Sequence, residues 1–217
     1  MTKALKIAVS TTIGKVSAEL IEARDPRCVM TFAHGAGAGM NHPFMTSMSE
    51  ELSKAGITTL RFNFPYMEAR KNRPDVPAVA HKAIEAAAAK VHKDFPSLPV
   101  LLSGKSFGGR MSSQFLSTQS PDFVKGAVFF GFPLHAPGKP SIERADHLKA
   151  VTVPMLFLQG SRDDLAKWDL IESVCGSLQY ATLVRFEGAD HSFRTAGKKV
   201  VIADLTAAAA DWIAKIA

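Results

Sequence analysis

The ten residues Val100-Leu101-Leu102-Ser103-Gly104-Lys105-Ser106-Phe107-Gly108-Gly109 constrain this chain more than any other stretch. Four apolar or small residues in a row predict a short buried strand. The glycines that follow predict a sharp turn into a helix, running from near Arg110 to about Gln119. Within the turn, Gly104, Ser106 and Gly108 fall in G-x-S-x-G spacing. The spacing has a steric reason. A serine at the tip of a strand-to-helix turn sits in strained backbone, and the residues two before and two after it approach too closely to carry a Cβ cheaply. Such a turn lifts the hydroxyl above the sheet edge and aims the next amide, that of Phe107, at a carbonyl oxygen under attack. Roughly one chain in fifteen of this length would hold the pattern by chance, so it needs support from elsewhere. Gly104-Lys105-Ser106 also imitates the end of a phosphate-binding loop, but that loop requires glycine at position 99, which is proline.

The order of elements supplies the setting. Residues 3–9 and 16–23 predict an antiparallel strand pair turning around Gly14. Strands are expected at 27–33, 57–62, 124–130, 153–159 and 180–186, and helices at 43–55 and 78–95. Trp168, Ile171, Cys175 and Leu178 mark one helical face, and a last helix is expected from about Lys198. Residues 63–77 read as an irregular basic loop and 132–150 as a Pro/Gly-rich one. Strands alternating with helices imply an α/β fold with a mostly parallel, doubly wound sheet. With 217 residues, 47% of them hydrophobic, and no internal repeat or linker, one domain spanning 1–217 is expected.

Charge and composition exclude several function classes. The formal charge of +6 is mild, and no dense Lys/Arg run tracks a nucleic acid. Cys28 and Cys175 lie far apart within apolar patterns, which fits reduced core thiols better than a disulfide. The first residues alternate rather than form an apolar run, and no stretch reaches transmembrane length, so neither signal peptide nor membrane partner is expected. The expected setting is cytoplasmic. No H-E-x-x-H or Cys/His ligand set occurs, so no metal and no cofactor are expected.

Three further features answer the needs of a nucleophilic serine. His34-Gly35-Ala36-Gly37 closes the strand at 27–33. Acyl transfer needs a second backbone donor for the oxyanion, and Ala36 is the candidate, with Gly35 and Gly37 giving the backbone room. A dinucleotide fingerprint is excluded there because its third glycine would fall at position 40, which is methionine. Met155 to Gly160 is followed by Ser161-Arg162-Asp163-Asp164, a carboxylate placed just past a strand end. One of the two aspartates is suited to hold a general-base histidine; the other is suited to cap the helix carrying Trp168. His191, in Gly188-Ala189-Asp190-His191, follows the final strand and is the one histidine of seven so placed. His34 shapes the oxyanion turn, and His34, Gly35, Gly37 and Lys105 are the candidate substrate-binding residues.

Serine, then acid, then histidine is the chain order of the α/β-hydrolase fold. The chain resembles an α/β hydrolase over nearly its whole length, in the compact dienelactone-hydrolase-like style with little or no cap. More narrowly it resembles a branch that includes a mammalian testis-expressed protein. The superfamily-wide likeness rests on His34-Gly35-Ala36-Gly37, Gly104 to Gly109, and Gly160-Ser161-Arg162-Asp163. The branch likeness rests on Phe132-Pro133-Leu134-His135-Ala136-Pro137-Gly138-Lys139-Pro140. The resemblance implies that the acid falls three residues after the strand-ending glycine, which favours Asp163 over Asp164. It implies hydrolysis of a small-molecule ester or thioester by Ser106, His191 and Asp163, with the Ala36 and Phe107 amides as oxyanion hole. The competing reading is a binding or scaffolding protein that retains the fold without turnover. A monomer or weak homodimer is expected. Arg70, Lys71, Arg73, Lys105 and Lys139 lie in loops that this fold gathers around the nucleophile; they read first as ordinary solvated charges of a mildly basic protein, and alternatively as a positive rim favouring anionic substrates.

Overall fold

The computed structural model describes residues 2–197 and 200–216. Eight strands form one sheet: β1 (Thr2–Ser10), β2 (Gly14–Ile21), β3 (Cys28–Ala33), β4 (Ile57–Phe62), β5 (Val100–Lys105), β6 (Val124–Phe130), β7 (Met155–Gly160) and β8 (Ala181–Phe186). Their order is β1-β2-β4-β3-β5-β6-β7-β8. β1 pairs antiparallel with β2, and β2 antiparallel with β4; every later pair is parallel. The mostly parallel sheet with an antiparallel N-terminal pair is therefore as the sequence predicts.

The central strands are buried on both faces, which explains why they read as apolar runs rather than alternations. Successive residues face opposite layers. Val29, Leu102, Phe129 and Phe157 pack with α3 (Pro77–Asp94), α4 (Phe107–Thr118) and α5 (Trp168–Gly176). Met30, Leu101, Phe130 and Leu158 pack with α1 (Pro43–Lys54) and α6 (Ile202–Ile213). Cys28 and Cys175 are buried free thiols, each pushed up to about 12 by burial.

Three local expectations change. α4 begins at Phe107 rather than near Arg110, because Ser106 itself is the helix N-cap and leaves no residue to spare in the turn. The segment after β4 holds a one-turn helix, α2 (Pro65–Glu68), started by Pro65 at its first position, where a missing N–H costs nothing. The 132–150 loop ends in a 3-10 helix, Glu143–Ala150, with Ala145 and Leu148 buried against the sheet layer. The expected helix start at Lys198 lies outside the described residues; α6 is seen from Ile202.

Parallel strands send all their C-terminal ends to one edge of the sheet. The loops after β3, β5, β7 and β8 therefore meet there, although 157 residues separate His34 from His191 in sequence.

Candidate active site

Ser106 sits at φ 51°, ψ −115°, a region that costs a non-glycine residue roughly 1–3 kcal/mol. Close packing around the turn holds it there. A Cβ on Gly104 would stand 2.3 Å from the Gly108 carbonyl carbon, and one on Gly108 would stand 2.3 Å from the Ala33 carbonyl oxygen. Any side chain at either position would force the strand and helix apart. The turn is stitched to β6 by the Ser106 N–H, which donates to the Phe130 carbonyl at 3.1 Å.

Above the turn, Ser106 Oγ lies 2.9 Å from His191 Nε2, and His191 Nδ1 lies 2.7 Å from Asp163 Oδ2. The carboxylate fixes the proton on Nδ1, which leaves Nε2 as an acceptor facing the serine. Asp163 is buried but fully engaged: Oδ1 accepts the Leu165 N–H at 2.8 Å, and Oδ2 also accepts from Gln159 Nε2 at 2.6 Å. Asp164 is exposed and does not reach the histidine. Gln159 has a second task, since its Oε1 accepts the Phe132 N–H at 2.9 Å. It thereby ties the loop after β6 to the acid.

The turn after β3 is braced from below. His34 is fully buried; its Nδ1–H donates to the Gly35 carbonyl at 2.8 Å, and its Nε2 accepts the Phe64 N–H at 3.0 Å. Burial holds its pKa down at about 4, so the ring is neutral at ordinary pH. The Gly37 N–H donates to the Tyr66 hydroxyl at 3.0 Å. With those groups engaged, the Ala36 and Phe107 N–H groups have no hydrogen-bond partner among the described residues. The turn lies close over the serine, for a Cβ on Gly35 would be 3.7 Å from Ser106 Cβ.

Ser106, His191, Lys105, Gly35 and Ala36 line one cavity of about 530 Å³. Its remaining wall is largely apolar, with Phe44 and Met45 from α1 and Leu165, Val200 and Ile202 from the loops and α6. A second depression of about 490 Å³, lined by Arg162, Asp164 and Trp168, lies on the far side of Asp163 and includes neither Ser106 nor His191.

Two binding expectations are corrected. His34 and Gly37 do not line the cavity: His34 spends both ring nitrogens on backbone, and Gly37 turns its N–H toward Tyr66. The positive rim is corrected in part: Arg70, Lys71, Arg73 and Lys139 do not line the cavity, which fits ordinary surface charges, whereas Lys105 does. Among the described residues, the lysine and arginine that do are Lys105, expected there, and Arg194, unnoticed in the sequence.

The sequence reading also missed three supports. Tyr66 lies on the one-turn helix, Gln159 inside a strand that reads as plain core, and His135 in the Phe132–Pro140 stretch. His135 is buried; its Nε2 accepts the Lys167 N–H at 3.1 Å and its own N–H donates to the Leu165 carbonyl at 2.9 Å. The branch-like stretch thus clasps the loop that carries Asp163. For Gln159 and His135 the available signal was a polar residue set among apolar ones at or beside a motif; Tyr66 offered none.

An open α/β sheet with a serine on a strained turn, backed by histidine and carboxylate, defines an α/β hydrolase. The chain belongs to the alpha/beta hydrolase domain family, whose profile matches residues 26–216. An alpha-beta serine hydrolase homologue from Coxiella burnetii superposes with a TM-score of 0.79 at 19% identity, over 97% of each chain. The dienelactone hydrolase from Anabaena variabilis superposes with a TM-score of 0.78 at 21% identity, over 100% of this chain and 98% of the other. A Mycobacterium tuberculosis protein provisionally named a phosphoribosyl transferase, Rv0571c, is 28% identical over 204 residues. That match takes in 91% of this chain but only 43% of the relative, so this chain spans less than half of that protein. Among the described residues, no helix is long and apolar enough to cross a membrane.

Proposed function

We propose that the chain is a serine hydrolase that cleaves a carboxylic ester or thioester of a small molecule. The observation that carries this is the hydrogen-bonded run Ser106 Oγ–His191 Nε2 and His191 Nδ1–Asp163 Oδ2, at 2.9 and 2.7 Å, at the mouth of a cavity. In the first step Ser106 Oγ bonds to the substrate carbonyl carbon while its proton passes to His191 Nε2. The carbonyl oxygen becomes an oxyanion, held by the Ala36 and Phe107 N–H groups, and Asp163 steadies the imidazolium. The tetrahedral centre collapses, the bond to the leaving oxygen or sulfur breaks, and His191 returns the proton to that atom. Water then attacks the acyl-enzyme with His191 again as base, which releases the acid and restores Ser106.

The apolar wall formed by Phe44, Met45 and Ile202 suits a hydrocarbon acyl or leaving group. The structural neighbours named serine hydrolase and dienelactone hydrolase support the ester class. Within the superfamily, the Phe132–Pro140 stretch supports placement in the branch that holds the mammalian testis-expressed protein. The transferase name of the mycobacterial relative attaches to a protein more than half of which has no counterpart here. The test is labelling with a fluorophosphonate probe, together with turnover of p-nitrophenyl acetate and a panel of thioesters. Labelled Ser106 with ester or thioester turnover is the expected result. An unlabelled, inactive but folded protein would return the reading to a non-catalytic binding role.

A further inference from the structure

We propose that Lys105 is a positioning residue of the hydrolysis: its ammonium fastens the His191 main chain and so holds the imidazole against the Ser106 hydroxyl. The inference rests on the hydrolase reading above. Lys105 is the last residue of β5 and the immediate neighbour of Ser106, yet its side chain does not leave for solvent. Nζ donates to the His191 carbonyl oxygen at 2.6 Å and stands 3.4 Å from His191 Nε2. The rings of Phe44 and Phe193 flank it, with centroids 5.9 and 5.3 Å away, close enough for each face to attract the cation.

The surrounding backbone makes room for this one side chain. Gly131, which follows β6, has φ 66°, and a Cβ there would stand 2.9 Å from Lys105 Nζ and 3.5 Å from His191 Cε1. Only a glycine lets the ammonium slide under the ring. Asp163 and Asp190 attract the cation, and His191 is the titratable group in direct contact with it. His42 and Arg194 line the same cavity, while Phe44 and Gly131 bring no charge. Burial outweighs the two aspartates and holds the amine down at about 8, so near neutral pH it remains mostly charged.

Two consequences follow for catalysis. The loop carrying His191 is tied by a charge-assisted hydrogen bond to the strand that carries the nucleophile, so serine and histidine move as a unit. The same bond sets the height of the imidazole over Ser106, so its loss lets Nε2 drift from the hydroxyl it must meet.

The experiment compares Lys105→Met, which keeps the length of the stem, with wild type on p-nitrophenyl acetate across pH. The expected result is a kcat lower by about 10²-fold, the loss typical of an ~1 Å misplacement, with KM within about threefold. Wild-type kcat should decline above about pH 8, where the amine loses its charge, and the variant should lack that bend. In Lys105→Ala, added ethylammonium should restore part of kcat and added ethanol should not. That rescue also shows that the variant is folded, so it decides the matter even if Lys105→Met unfolds. Wild-type kcat and an unmoved pH profile in Lys105→Met would overturn the proposal. Equal rescue of Lys105→Ala by ethanol and ethylammonium, or none by either, would do the same. A wild-type protein that fails to label with fluorophosphonate would instead sink the hydrolase reading itself.

Discussion

Helix α4 carries two serine–histidine hydrogen bonds about two turns apart, and they have opposite chemistry. At its N-cap, Ser106 Oγ meets His191 Nε2 at 2.9 Å; in its interior, Ser113 Oγ meets His147 Nε2 at 2.7 Å. On the proposed hydrolase mechanism, the shorter bond is the inert one. Ser113 gives its only proton to the Arg110 carbonyl at 2.9 Å, so in that pair the imidazole must donate to the serine. A histidine that donates to a hydroxyl cannot take its proton. Among the described residues no carboxylate accepts from the other nitrogen of His147, and burial together with nearby Arg110 holds its pKa down at about 4. Ser113 is fully buried and lines neither of the two cavities described above, whereas Ser106 opens onto about 530 Å³. A short Ser–His distance therefore does not identify a nucleophile. The direction of the proton, the group behind the histidine and the space in front of the serine do.

The largest test of this contrast is at the serines. Ser106→Ala should lower turnover by ~10⁴-fold or more and abolish fluorophosphonate labelling, with circular dichroism unchanged. A labelled Ser113 peptide in that variant would reverse the assignment. Next comes the group behind His191. Asp163→Asn should cost on the order of 10³–10⁴-fold in kcat, because the amide favours the wrong tautomer, while Asp164→Asn should stay near wild type. Equal losses in the two variants would undo the distinction drawn between them.

A third test is steric. Gly104→Ala drives a methyl to within 2.3 Å of the Gly108 carbonyl carbon, and should destabilise the protein by roughly 3 kcal/mol or more in urea unfolding. Wild-type stability there would mean that the turn relaxes and that the strain at Ser106 is not enforced. The histidines supply a fourth. His34 is held down to about 4 in the folded protein, so the unfolded chain takes up its proton first as pH falls. Above about pH 6.5 both states are neutral at this group, and below about 4 both are charged. Stability should therefore fall between those values, by about 3 kcal/mol from His34 alone. His34→Gln should make that fall shallower and leave the share that His147 contributes over the same window, as followed by urea unfolding from pH 7 to 4. The smallest effect is at the second pair: Ser113→Ala should leave kcat unchanged and cost about 1 kcal/mol of stability.

Much of this was legible in one dimension because the constraints are local. Gly104 and Gly108 announce the turn, since no other residue fits where strand and helix cross, and the chain order of Ser106, Asp163 and His191 follows from the winding of the sheet. Asp163 was separable from Asp164 only by likeness to a family; the structure separates them by burial, with Asp163 carrying a buried set of hydrogen bonds and Asp164 facing solvent. The basic loops misled for a related reason. Arg70, Lys71 and Arg73 follow a catalytic-edge strand in sequence, but the one-turn helix at Pro65–Glu68 redirects that segment, and its role is instead to bring Tyr66 under the oxyanion turn.

What the amino-acid order determined by itself is therefore the periodic part: buried strands, the helices between them, and a turn that only glycines permit, all set by neighbours a few residues apart. The tertiary structure alone decided which polar groups face one another. His34 became a brace rather than a ligand contact, Gln159 and His135 became supports for the acid, and Arg194 joined the cavity wall. Hydrogen-bond direction and desolvation depend on atoms brought together from positions up to 157 residues apart, and no local pattern records which of them will meet.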